Sequence, residues 1–211
     1  MRNFFILLIL GSLCFSFKTE GYSSITNESI TTSKKQQDTI YKCDKKAQGY
    51  FIGSKKNGYW KFFNSNRSIK SQGEYLNDKK TNYWFIFNSA GKLISEGNFL
   101  NGKKNGYWKF FNSNGSLESQ GEYINGKKMN YWYNYSSTGK LCSEGNFSNN
   151  TKEGYWKFYS NDELILSEGR YSNNSKEGYW KFYANNKLLK EGWVSANKPI
   201  SYWNIYNENG T

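Results

Sequence analysis

Asn105-Gly106-Tyr107-Trp108-Lys109-Phe110-Phe111-Asn112-Ser113-Asn114-Gly115 decides how the chain is read, because most of the surrounding sequence is a copy of it. The Tyr-Trp pair recurs at Tyr59-Trp60, Tyr83-Trp84, Tyr107-Trp108, Tyr131-Trp132, Tyr155-Trp156, Tyr179-Trp180 and Tyr202-Trp203, a step of 24 residues five times and then of 23. A fixed period of this length marks an array of small stacked units. Within the stretch, Trp108 and Phe110 point one way and Tyr107, Lys109 and Phe111 the other, the period-2 signature of a strand.

A second column, headed by Gly49, runs through Gly73, Gly97, Gly121, Gly145, Gly169 and Gly192. It lies in another alternating segment, in which Leu117, Ser119, Gly121 and Tyr123 share one face and Glu118, Gln120, Glu122 and Ile124 the other. Two kinds of turn separate the segments, one like Asn112-Ser113-Asn114-Gly115 and one like Asn101-Gly102-Lys103-Lys104. Asn and Gly accept the positive φ that tight hairpins require.

Glycine in a strand interior weakens it unless something needs the space. The expected occupant is a ring from the adjacent strand, lying across the bare backbone. The predicted spine is therefore Trp60, Trp84, Trp108, Trp132, Trp156, Trp180 and Trp203 resting on the glycine column. Residues 57–76 and 105–124 match at 16 of 20 positions, so the 24-residue unit also reads as half of a duplicated 48-residue pair. The expectation is an all-β fold: an elongated single-sheet meander of about seven β-hairpin repeats over 47–211, with about fourteen short strands.

Residues 1–17 read as a signal peptide, with Arg2 ahead of the apolar run Phe4 to Leu13, a run too short to span a bilayer. This predicts an exported protein. Bulky Leu13 before Cys14, where a lipidation signal wants a small residue, argues against a lipoprotein. Residues 18–46, rich in Ser, Thr, Asn, Gln and Lys, read as a disordered linker. In a linear array Cys43 and Cys142 stand about four repeats apart, roughly 38 Å at ~4.8 Å per strand, too far to bridge.

The sequence contains no His, which excludes His-based triads and His metal sites. The Gly-Lys-Lys turns lack the context of a phosphate loop. Carboxylates recur once per unit, as Glu96, Glu144, Glu168 and Glu191 before the column glycine or Glu74 and Glu122 after it. That pattern predicts cross-strand pairing with Lys61, Lys109, Lys157 and Lys181 rather than a single acid–base cleft. No catalytic, cofactor or metal site is expected. The most suggestive feature is the row Lys55-Lys56, Lys79-Lys80, Lys103-Lys104, Lys127-Lys128, Lys152 and Lys176, continued by Lys198. Aligned turns would set it along one rim, where it would favour anionic lipid heads, acidic glycans or an acidic protein.

The recurring pattern G-Y-W-x-F-[FY]-x-x-x-G-x-[LI]-x-S-x-G-x-[YF]-x-N-G-K resembles the bacterial variant of the MORN repeat over residues 47–211. The resemblance implies an extended meander of hairpins, non-enzymatic scaffolding, and contact with membranes or proteins. Some similar bacterial proteins are antitoxins of toxin–antitoxin pairs. The function expected is that of an exported repeat scaffold that binds a protein partner. The alternatives are a peripheral module on an anionic membrane and an antitoxin or immunity component. Nucleic acid is not expected, since the rings are needed in the spine, and the segment from Tyr202 onward is a candidate edge for homodimerisation.

Overall fold

The computed structural model describes residues 39–207. The signal peptide, Cys14 and most of the 18–46 segment lie outside the described residues. Within them the chain forms strands and turns and no helix: β1 (Thr39–Cys43), β2 (Ala47–Ile52), β3 (Lys55–Phe63), β4 (Ile69–Leu76), β5 (Lys79–Phe87), β6 (Leu93–Leu100), β7 (Lys103–Phe111) and β8 (Leu117–Ile124), followed by β9 (Lys127–Tyr135), β10 (Leu141–Ser148), β11 (Thr151–Tyr159), β12 (Ile165–Ser172), β13 (Ser175–Ala184), β14 (Lys187–Ser195), β15 (Lys198–Pro199) and β16 (Asn204–Ile205). They make one 16-stranded antiparallel sheet in which β1 to β15 neighbour one another in chain order and the short β16 pairs with β14. The single-sheet meander expected from the repeats is the observed architecture.

Two details differ from the expectation. The sheet begins at Thr39, inside the segment read as linker, because Thr39 to Cys43 lines up against Gln48 to Ile52 and the Tyr41 and Tyr50 rings meet at 4.7 Å. The described residues also hold two very short strands at their C-terminal end, β15 and β16, in place of one full hairpin.

A single layer normally has no interior, yet Trp60, Trp84, Trp108, Trp132, Trp156 and Trp180 are at most 1% exposed. The glycine column is what makes this possible. A Cβ added at Gly121 would fall 2.3 Å from Trp132 Cδ2, and one at Gly73 2.4 Å from Trp84 Cδ2. Gly49, Gly97, Gly145, Gly169 and Gly192 meet Trp60, Trp108, Trp156, Trp180 and Trp203 in the same way. Each indole therefore lies flat on the backbone of the strand before it. In register the two residue types also alternate straight across the sheet, as Trp84, Gly97, Trp108, Gly121, Trp132, Gly145, Trp156 and Gly169.

Ring edges close the sides of each indole. Phe99 meets Trp108 at 5.0 Å and 90°, and Tyr123 meets Trp132 at 5.2 Å and 87°. Such edge-to-face pairs add about 0.5–1.5 kcal/mol beyond the area they bury. The indole Nε1–H of every spine tryptophan from Trp60 to Trp180 donates to the carbonyl ten residues earlier, at 2.8–3.2 Å. The polar end of each ring is thus satisfied where it is buried.

The Trp strands carry two extra residues against the strand before them. From Gly97↔Trp108 to Phe99↔Lys104 the partner strand advances two residues while β7 advances four. This bulge needs a left-handed residue, supplied by Gly58, Gly106, Gly154 and Gly178 in four units and by Asn82 (φ 55°) and Asn130 (φ 58°) in two. Where Asn stands, its side-chain amide donates to the Glu74 or Glu122 carboxylate at 2.6 Å. The 48-residue alternation seen in the sequence is therefore a choice between two solutions to one backbone requirement.

Turns of one kind also bond to each other across units. The Gly102 amide donates to Lys80 O and the Gly126 amide to Lys104 O, both at 2.8 Å. At Asp78, Asn150, Asn174 and Asn197 the side-chain oxygen returns a bond by accepting from the amide of Lys56, Lys128, Lys152 or Lys176. On the other edge, the Asn66 amide donates to Ser89 O at 2.8 Å and the Asn114 amide to Ser137 O at 2.7 Å.

Candidate functional site

The sheet presents two chemically different faces. On the tryptophan face the lysine row divides. Lys55, Lys79, Lys103 and Lys127 are exposed at the turns, whereas Lys56, Lys80, Lys104, Lys128, Lys152 and Lys176 are half-buried, each ammonium 4.0–5.6 Å from an indole centroid. The reason is register: Lys104 stands opposite Phe99, two residues past the glycine, so it falls on the ring side and roofs the indole. Burial holds Lys80, Lys104, Lys128, Lys152 and Lys176 below the usual lysine range. The neighbouring lysines push Lys104 and Lys152 the same way. Lys56 has a carboxylate at 3.9 Å, that of Asp78. The expected single rim is thus two rows, one in solvent and one folded over the spine.

The opposite face carries the tyrosine of each Tyr-Trp pair that lies within a strand. Tyr59, Tyr83, Tyr107, Tyr131, Tyr155 and Tyr179 are 36–48% exposed and recur every second strand, about 9.4–9.8 Å apart. Sequence alternation already sets Tyr107 opposite to Trp108, but not which of the two faces stays open. Only the glycine contacts decide that.

The carboxylates on this face do not do what the sequence suggested. Lys109 stands opposite Glu96, and Lys157 opposite Glu144 and Glu168, yet none of these pairs closes to an ion pair. Glu144, Glu168 and Glu191 instead accept from tyrosine hydroxyls fifteen residues on. Tyr159 donates to Glu144 at 2.5 Å, Tyr183 to Glu168 at 2.6 Å and Tyr206 to Glu191 at 2.7 Å, while Gln120 donates to the Tyr135 hydroxyl at 2.8 Å. A short, directional bond to a fixed phenol wins over a flexible exposed ammonium, whose pairing in water contributes little. Burial, followed by the facing Glu144 or Glu168, pushes Tyr131 and Tyr155 up to about 12.

One end of this face breaks the repeat. The residue after the column glycine is Tyr50 in the first unit, Glu74, Asn98, Glu122 and Asn146 in the next four, then Arg170 and Trp193. Arg170, Tyr155, Tyr179, Lys181 and Trp193 line a groove of about 560 Å³, with Gly178 beside it. Trp193 is 52% exposed and its ring meets Tyr179 at 5.6 Å. Arg170 makes no ion pair among the described residues. The cue available in the sequence was the column itself, whose run of Glu and Asn gives way to Arg170 and Trp193.

Among the described residues no group of three His, Cys, Asp or Glu side chains is placed to hold a metal, and Cys142 carries a free thiol. No protein-family model matches the chain, and no curated protein matches it either.

Proposed function

We propose that the chain is a non-enzymatic, exported repeat scaffold of the MORN-like kind, which binds a macromolecular partner through the tyrosine face. The observation that carries this reading is the row of half-exposed tyrosines repeated at each unit. The tryptophan face supplies the buried core, so the large rings on the other side are not needed to fill it, and a row of exposed aromatic surface marks an interaction site. Tyrosine suits that role, since it offers a large contact area with only two side-chain torsions to freeze.

The test replaces Tyr83, Tyr107 and Tyr131 together by Ser and compares retention of full chain on native envelope fractions with that of the unaltered protein. Far-UV circular dichroism confirms that the sheet persists. Retention should fall by at least about tenfold; undiminished retention refutes the reading.

A second reading has its own support. Lys80, Lys104, Lys128, Lys152 and Lys176 form a row of partly desolvated cations that no carboxylate among the described residues neutralises within ion-pairing distance, which favours an anionic membrane surface. Sedimentation with anionic and neutral vesicles separates the two, since this reading requires binding that is selective for anionic lipid and weakens with salt.

A further inference from the structure

The groove bounded by Tyr155, Tyr179 and Trp193 points to a site for a carboxylate-bearing sugar ring, such as one unit of an acidic polysaccharide. The inference rests on the proposed binding role of the tyrosine face and names the ligand class at one end of it.

The argument starts from shape. Tyr155 and Tyr179 stand two strands apart, about 9.4–9.8 Å, with Arg170 on the strand between them and opposite Tyr155 in register. A ligand lying over Arg170 and touching both rings needs about 3.5–4.0 Å on each side, which one saturated six-membered ring fills. The groove is shallow and open, and Gly178 contributes no side chain to its wall: a Cβ there would have nothing within 4 Å. Trp193 adds a third, largely exposed ring.

The polar groups narrow the ligand further. Donors and acceptors are interleaved around the rings: Arg170 and Lys181 donate, and the Glu168 and Glu191 carboxylates, which stand opposite Lys181 in register, accept. A peptide backbone has its N–H and C=O groups fixed in direction. A polyol ring carries hydroxyls that both donate and accept, which suits a mixed border around apolar faces. Arg170 then sets the charge. It is exposed and makes no ion pair among the described residues, while Glu177, opposite it in register, accepts from the Ala196 amide at 2.7 Å; the four preceding units carry Asn or Glu in its place. A guanidinium in that position matches a carboxylate with two parallel hydrogen bonds.

The test uses the full chain and variants that restore the residue found in other units, Arg170→Asn and Trp193→Asn, so that folding is preserved. Binding of oligogalacturonate is followed by isothermal titration calorimetry, which reads the unaltered chain and both variants alike. Carboxyl-reduced oligomer, polyglutamate and anionic vesicles serve as comparisons. Saturable binding to oligogalacturonate is expected, weakened about tenfold or more by Arg170→Asn, by Trp193→Asn or by reducing the carboxyl groups. Absence of binding overturns the inference. So does equal affinity for polyglutamate or vesicles, which would mean charge attraction alone, and so does equal affinity for the neutral oligomer. Since these variants leave Tyr83, Tyr107 and Tyr131 in place, their failure would leave envelope retention intact, whereas failure of the broader reading would not.

Discussion

Replacing Gly121 by Ala tests the source of the sheet's interior. The added methyl would sit 2.3, 2.4 and 2.5 Å from Cδ2, Cε2 and Cγ of Trp132, against the ~3.5–4.0 Å of a normal carbon contact. The indole must therefore rise by roughly 1.2–1.5 Å. That movement strains its bonds from Nε1 to Glu122 O (3.2 Å) and Met129 O (3.1 Å), and drives the ring into Lys128, whose ammonium is 4.1 Å from its centroid. Overpacking costs about 1–3 kcal/mol and a weakened hydrogen bond about 0.5–1.5, so a loss of about 2–4 kcal/mol is expected. Gly121 is not in the left-handed region, so Ala brings no backbone strain and even gains about 0.4–1 kcal/mol by restricting the unfolded chain. The assay is urea unfolding of the full chain by circular dichroism, fitted as coupled neighbouring units because arrays need not unfold in one step. A double-mutant cycle with Trp132→Ala isolates the contact: with the ring gone, Gly121→Ala should become nearly neutral, a coupling of about 2 kcal/mol or more. If Gly121→Ala is harmless alone, or as damaging without the ring as with it, the explanation for the glycine column is wrong.

Three further outcomes follow from the same geometry. Tyr131 and Tyr155 are raised from the ordinary tyrosine range to about 12 in the folded state. The folded chain then holds protons that the unfolded chain has released, so the stability they contribute is full below pH ~10 and lost as pH rises from 10 towards 12, read by absorbance titration beside unfolding curves. Lys104→Ala removes the roof of Trp108 and a cation 4.4 Å from its centroid. It should cost about 1–2 kcal/mol and make an indole newly accessible to acrylamide quenching, whereas Lys104→Met should stay within about 1 kcal/mol. Asn150→Ala loses the 2.7 Å bond from the Lys128 amide and the polar side chain that lets Asn tolerate φ 72°, for a cost of about 1–2 kcal/mol. Asn150→Gly, which copies Gly102 and Gly126, should be nearly neutral in thermal melts.

The parts of this fold legible in the sequence are those governed by neighbours at fixed spacing. Strand alternation at Trp108, the Asn-Gly turns, and the pairing of glycine with a ring all follow from local rules that every copy repeats, so seven copies reinforce one inference. What stayed hidden depends on register across strands. Alternation puts Lys104 on the same face as Trp108, but it is the two-residue bulge at Gly106 that sets Lys104 opposite Phe99 and its ammonium over the indole, and no period in the sequence announces that. The same holds for the glutamates: Glu144 and Lys157 are in register as expected, but the partner of Glu144 is the Tyr159 hydroxyl, set by geometry fifteen residues away. Arg170 and Trp193 were readable as departures from a column, yet their meaning appears only when Tyr155 and Tyr179 are seen beside them.

Every indole of the spine lies on the glycine eleven residues before it, the nearest neighbour of that bare backbone. Each unit can consequently settle as soon as it is made, using only chain that already exists, across short loops that close quickly. A protein threaded through a membrane pore from its N-terminus could assemble behind the pore one hairpin at a time, without waiting for its far end.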